Sequence, residues 1–229
     1  MLIIFLGPQG SGKTTQAILL KKRLEELGYR VIVTESIHYT LLLRIWHKLL
    51  ISLTGRKIKY RFRSEGLVEE FVEPSLLART FIIDFMINMV AAMISTLKLY
   101  ILSIFYSVII EHEGFTYSQL AYLCFIYRKL FSIKFLVSRY SILLRLLPKK
   151  KLIIVLDITN LNPVDLRVRY RERKSLSEPW YYVRYQVAIY KALASLEHQY
   201  AIFDASMAKV SLSNDILTFI LQNLKINSR

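Results

Sequence analysis

Met1-Leu2-Ile3-Ile4-Phe5-Leu6-Gly7-Pro8-Gln9-Gly10-Ser11-Gly12-Lys13-Thr14 opens the chain with an apolar run that stops at glycine. An unbroken apolar run rich in β-formers predicts a strand covered on both faces, because a half-solvated strand would alternate with polar residues. Past the glycines, Ala17, Leu19, Leu20, Leu24 and Leu27 recur at helical spacing and Gly28 supplies a stop, so Thr14 to Leu27 is predicted helical. Tyr29-Arg30-Val31-Ile32-Val33-Thr34 then reads as a second strand, which makes the opening a βαβ unit with a right-handed crossover.

The turn between strand and helix, Gly7 to Thr14, satisfies G-x-x-x-x-G-K-[ST] in the context where that pattern has chemical meaning. Glycines let backbone N–H groups turn inward around phosphate, and the helix amino end adds a positive dipole. Lys13 is placed to reach β- and γ-phosphates, and Thr14 offers a hydroxyl to Mg²⁺. Gly7, Gln9, Gly10, Ser11, Gly12, Lys13, Thr14 and Thr15 are therefore the expected binding residues for ATP and Mg²⁺.

Working outward, Ser36 to Ser52 reads as a helix, and Arg56 to Arg63, without clear periodicity, as a loop or helical excursion. Leu76 to Ile110 is the most apolar segment: a helix is expected first, then a strand over Tyr106 to Ile110 that runs into Glu111-His112-Glu113. Lys151 to Asp157 predicts a fourth strand, Val164 to Arg173 an Arg-rich helical stretch, and Tyr182 to Leu193 a helix beyond Pro179. Tyr200 to Asp204 predicts a fifth strand and Asp215 to Leu224 a closing amphipathic helix. Five strands alternating with helices imply an α/β fold of the P-loop NTPase type, with a mostly parallel sheet covered on both faces. All 229 residues are expected to form one domain.

Composition narrows the partners. Lys and Arg number 32 against 17 Asp and Glu, a net charge of +15, while 54% of residues are apolar and mean hydropathy is +0.35. Such a chain seeks anionic partners, whether phosphorylated ligands, anionic lipid or nucleic acid. No nucleic-acid-binding signature accompanies the charge, so nucleic acid is not expected. The single cysteine, Cys124, rules out an intrachain disulfide, and the strand-like opening has no basic n-region; the chain reads as cytoplasmic, with membrane association as an option.

These features resemble the thymidylate kinase group of P-loop nucleotide kinases. In that family a strand ending in Leu-Asp leads through a proline turn to a helix whose arginines form a lid over the phosphates; here Leu156-Asp157 is followed by Pro163, Arg167, Arg169, Arg171 and Arg173. Arg169 and Arg173, four apart, can face one side of a helix in a lid at about 165–180. Glu178, Tyr182, Tyr185, Gln186 and Tyr190, then Phe203-Asp204-Ala205-Ser206, are similar to the family's later order, which implies Ala205 and Ser206 beside the nucleotide base. The resemblance implies transfer of the terminal phosphoryl of ATP to a nucleoside monophosphate such as dTMP, in a homodimer. Catalysis would fall to Lys13, Arg169, Arg173 and Glu111, and the acceptor would meet Glu35, Arg79, His112, Tyr117, Ser118 and Tyr122.

The chain departs from that pattern where the family has Asp-Arg after its third strand; here Glu111-His112-Glu113 stands, and no arginine. The turn carries Gln9 and Ser11 without an acid, Glu35 follows the second strand without an arginine partner, and Arg79 is the substitute cation. A glutamate at the place of Glu111 also serves deoxynucleoside kinases as a base toward a hydroxyl, so a kinase for a nucleoside or another alcohol is the enzymatic alternative. Glu111 is equally a candidate carboxylate on the metal side, with Asp157 the alternative and Thr14 as the hydroxyl ligand. A nucleotide-binding module without catalysis is the alternative of another class. Phe85 to Ile110, with Lys98 as its one charge, is long and apolar enough to qualify as a membrane candidate, though a buried or dimer-interface helix is the expectation. Leu41 to Arg63 adds a basic amphipathic stretch that can lie on anionic lipid.

Overall fold

Apolar runs of the sequence pair side by side in the computed structural model, which describes residues 1–34, 39–61, 68–72, 74–112, 115–127, 132, 135, 137–138, 144–162 and 180–226. The strands are β1 (Leu2–Leu6), β2 (Val31–Thr34), β3 (Lys57–Arg61), β4 (Val68–Val72), β5 (Val108–Glu111), β6 (Lys151–Asp157) and β7 (Tyr200–Asp204). The helices are α1 (Lys13–Glu26), α2 (Tyr39–Thr54), α3 (Pro74–Phe105), α4 (Phe115–Tyr127), α5 (Trp180–Ala194) and α6 (Lys209–Ile226).

β2, β5, β1, β6 and β7 lie in that order in one sheet whose neighbours are all parallel. β1 is central, and its five residues are fully buried because both sheet faces are covered. Alternation divides it: Leu2, Ile4 and Leu6 join a core with α3, α4 and α5, while Ile3 and Phe5 join a second core with α1 and α6. Each aliphatic or aromatic side chain so buried contributes about 1.5–3 kcal/mol, which is why the central strands, the most continuous apolar runs, carry the layer order.

The five strands of the main sheet are all parallel. One expectation is corrected: the segment read as a loop or helical excursion over Arg56 to Arg63 instead supplies β3, which pairs antiparallel with β4 outside the main sheet. Its residues do alternate, Lys57, Ile58, Lys59, Tyr60, Arg61, and the register sets Lys59 opposite Glu70. The charge density of the stretch hides this period when the chain is read locally.

α3 ends at Phe105, and Tyr106 and Ser107 turn the chain directly into β5, two residues later than the expected strand start. α3 is not buried within the chain: only 29% of the apolar window in Arg79–Phe105 is covered. Its buried side meets α2, where Asp84, 0% exposed, accepts hydrogen bonds from Trp46 Nε1 at 2.7 Å and pairs with His47 Nε2 at 3.2 Å. A carboxylate in an apolar layer is tolerated only when it is held by such partners.

Candidate functional site

A parallel sheet gathers the carboxyl ends of its strands on one edge, and in open α/β sheets ligands bind in the crevice outside that edge. β1 delivers Gly7 there, β2 Thr34, β5 Glu111 and His112, β6 Asp157, and β7 Asp204 to Ser206. Register sets Glu111 level with Ile4 on one side and Thr34 on the other, and sets Asp157 opposite Asp204.

The turn from Gly7 to Gly12 leaves β1 and enters α1 directly. Gly10 and Gly12 have φ of 80° and 90°, left-handed conformations that favour glycine. Gly12 is the N-cap of α1, makes no side-chain cap, and no acid occupies the first turn. The leading N–H groups of a helix lack intrahelical acceptors, so this end presents a positive dipole with no side-chain anion of its own to answer it. Gly7 is needed for space: a Cβ there would meet Ser11 Oγ at 2.7 Å and the Leu156 carbonyl at 2.9 Å. The turn is thus seated on the end of β6.

Lys13 folds back over this turn, with Nζ donating to the carbonyls of Gly7 at 2.7 Å and Pro8 at 2.9 Å. The Ser11 hydroxyl is buried, 2% exposed, and has no hydrogen-bond partner. Thr14 and Gln9 are exposed, while Thr15 and Gly10 are half-buried. An unpaired buried hydroxyl and an ammonium thus flank the amino end of α1, groups whose chemistry can meet an anion.

The loop after β7 closes over the neighbouring strand end. Ala205 is buried and its N–H donates to the Asp157 carbonyl at 2.7 Å; Ser206 is exposed and its N–H donates to Asp204 Oδ1 at 2.8 Å. Gln16 Nε2 reaches the Lys209 carbonyl at 3.2 Å, tying the start of α1 to the start of α6. The expected base-side residues therefore lie on the same sheet edge as the turn.

Asp157 accepts from Thr159 N–H at 2.8 Å and from its hydroxyl at 2.7 Å, and it is ion-paired with Lys191 of α5. Burial pushes the Asp157 carboxyl up, but the hydrogen bonds from Lys191 and Thr159 outweigh it and hold the group below its ordinary value. Hydrogen bonds from Ser206 and Asn160 hold the Asp204 carboxyl down in the same way. Lys191 and Asn160 were not expected members of this edge, whereas Asp204 was expected there only as the last residue of a strand leading into Ala205 and Ser206; no signal pointed to Lys191.

Glu111 is 2% exposed and His112 is 4% exposed, and the His112 N–H donates to the Thr34 carbonyl at 3.5 Å, so β5 and β2 end together. Tyr117 is fully buried and its hydroxyl donates to Glu197 Oε1 at 2.7 Å, while Glu197 Oε2 meets Lys151 Nζ at 3.1 Å. Burial, then the Glu197 hydrogen bond and the charges of Glu197 and Glu111, push the Tyr117 hydroxyl far above its ordinary value. The Tyr190 hydroxyl donates to Ser118 Oγ at 3.3 Å, another contact between α4 and α5. Tyr117 and Ser118 are thus bonded to α5 and the segment just after it. Arg79 is exposed near the start of α3. Glu35, Arg169 and Arg173, with the rest of the Arg-rich stretch over 163–179, lie outside the described residues, as does the side chain of Tyr122.

Among the described residues no three His, Cys, Asp or Glu side chains cluster as a metal cage. Mg²⁺ does not require one, since it is commonly held by one or two protein oxygens together with substrate phosphates and water. No protein-family model and no curated protein matches this sequence.

Proposed function

We propose that this chain is a P-loop kinase that transfers the terminal phosphoryl group of ATP to a nucleoside monophosphate, in the manner of the thymidylate kinases it resembles. The observation that carries the reading is the turn itself: Gly10 and Gly12 in left-handed conformations, the orphan Ser11 hydroxyl, and Lys13 lying across the turn at the amino end of α1.

In this reading Lys13 leaves the Gly7 and Pro8 carbonyls to bind β- and γ-phosphate oxygens, and the turn's amides hold the β-phosphate. Thr14 would give its hydroxyl to Mg²⁺, with Glu111 and Asp157, at the ends of the two strands that flank β1, the candidate acids. Bound Mg²⁺ supplies charge neutralisation between the β- and γ-phosphates. The bond from the bridging oxygen to the γ-phosphorus breaks as an acceptor phosphate oxygen bonds to that phosphorus, leaving ADP. Arg169 and Arg173 of the lid are assigned to the equatorial oxygens, and Ala205 and Ser206 to the base. Catalysis is positioning plus electrostatic stabilisation, with no covalent intermediate.

A second reading rests on Glu111, an acid buried at the end of β5 where the resembled family has Asp-Arg. With an alcohol acceptor the hydroxyl proton must go somewhere, and a carboxylate in hydrogen-bond reach takes it. ADP release measured with ATP, Mg²⁺ and a panel of nucleosides and nucleoside monophosphates separates the readings. Turnover stimulated by a monophosphate supports the first, and turnover stimulated only by an uncharged alcohol supports the second. ATP binding with no acceptor-stimulated turnover overturns both and leaves a nucleotide-binding module.

A further inference from the structure

α3 turns one side to the core and the other to solvent, and the solvent side is apolar. Asp84, Ala91, Ala92, Ser95, Thr96 and Leu99 are buried. On the opposite side Ile82, Met86, Val90, Met93, Leu97 and Ile104 are each between 50% and 76% exposed. At 3.6 residues per turn these six fall within one arc of roughly 80° and form a stripe roughly 33 Å long. α2 packs beside α3 and adds Ile45, Leu49 and Leu53 at successive turns, 52%, 45% and 75% exposed. Contiguous apolar surface on this scale marks a contact with a partner or a membrane.

Charge selects the occupant. In α2 and α3 together the only acidic residue is Asp84, which is fully buried and held by Trp46 and His47. Among the described residues of α2 and α3 the exposed charges, Lys48 and Arg79 with Arg56 just past α2, are all cationic. A second copy docked through the same face would set these cations against each other with no exposed acid from either helix to answer them. An anionic bilayer answers both features at once: acyl chains take the stripe and headgroup phosphates take the cations.

We propose that α2 and α3 dock the protein on an anionic lipid surface, with α3 lying in the interfacial plane. The helix does not leave the domain to span the bilayer. Leu99 and Ala92 belong to the core beneath Leu2 and Ile4, and α3 runs within three residues into β5, so withdrawing it would strip that core. This docking does not rest on the kinase reading.

Co-sedimentation with vesicles of phosphatidylcholine, with and without phosphatidylglycerol, tests it on the full chain. The expected result is binding to the phosphatidylglycerol vesicles that weakens with added salt. Binding should fall about tenfold or more both in Leu97→Glu with Ile101→Glu and in Lys48→Glu with Arg56→Glu. A Leu97→Trp variant gives a second readout that leaves the stripe apolar: its emission should shift to the blue on adding the anionic vesicles and stay unchanged with phosphatidylcholine alone. Failure of the wild-type chain to sediment with anionic vesicles overturns the proposal, as does equal binding to both vesicle types. A dimer in solution that Leu97→Glu with Ile101→Glu dissociates, without vesicle binding, also overturns it and assigns the face to self-association.

Discussion

Lys13 Nζ lies 2.7 Å from the carbonyl oxygen of Gly7, so the lysine is bonded to the turn that carries it. Two of its three N–H donors are engaged by Gly7 and Pro8, so under the proposed function a phosphate would compete with these carbonyls for Lys13. Lys13→Ala should therefore change the stability of the ligand-free protein little while removing most of the stabilisation given by ATP. At a ligand excess of about 100 Kd that stabilisation is about 2.7 kcal/mol in the wild type. Thermal unfolding with and without ATP and Mg²⁺ checks this; an undiminished shift in the variant would place the phosphate site elsewhere.

Gly7→Ala should unfold the turn rather than merely tune it. The added methyl meets the Leu156 carbonyl at 2.9 Å, a backbone atom of a central strand that cannot retreat without breaking its ladder. A loss of about 2–3 kcal/mol is expected from overpacking of this kind. Gly12→Ala has nothing within 4 Å of its new Cβ and suffers only from its positive φ, about 1–2 kcal/mol. Denaturant titrations of both variants should rank them in that order.

Asp84→Ala should cost about 2–4 kcal/mol, because it strands the Trp46 indole N–H and the His47 ring between α2 and α3. Asp84→Asn keeps an acceptor for one of them and should cost less. Chemical denaturation compares the pair, and a cost under about 0.5 kcal/mol for Asp84→Ala would mean that water takes over both bonds.

Alkaline stability should fall in two steps. Burial pushes the Cys124 thiol up to about 12 from its ordinary value of 9.0, and the Tyr117 hydroxyl is also raised from 10.0. For each group the unfolded chain loses its proton first, so stability is fully present below the unfolded value and declines as pH rises past it. The decline starts near pH 9 for Cys124 and near pH 10 for Tyr117, at up to about 1.4 kcal/mol per pH unit for each group. Cys124→Ala should remove the first slope and Tyr117→Phe the second, as read from unfolding free energies across pH 8 to 11. A related expectation is that Cys124 resists thiol reagents at pH 8 until the chain unfolds.

The five strands of the main sheet were legible because each is a short apolar run bounded by punctuation, and β1 with its glycine turn was the plainest. Boundaries moved by only a few residues: β5 begins at Val108 where Tyr106 was expected, and α6 begins at Lys209, ahead of Asp215. The β3–β4 pair was not legible, since the alternation of Lys57 to Arg61 is short and set in a run of basic residues, and its partner strand is not adjacent in sequence.

What the sequence alone determined is local: the apolar runs, the helical periods and the glycines that put a tight turn between β1 and α1. Tertiary structure decided which groups meet. Lys191 reaches Asp157, Tyr117 reaches Glu197 across 80 positions, and Asp84 meets Trp46 and His47 of another helix. It also decided that the side of α3 carrying Asp84, Ser95 and Thr96 is covered while the wholly apolar stripe from Ile82 to Ile104 is not. The physical reason is that propensity and period act within a few residues of chain, whereas burial and ion pairing depend on neighbours that only the packed sheet and its helices bring together.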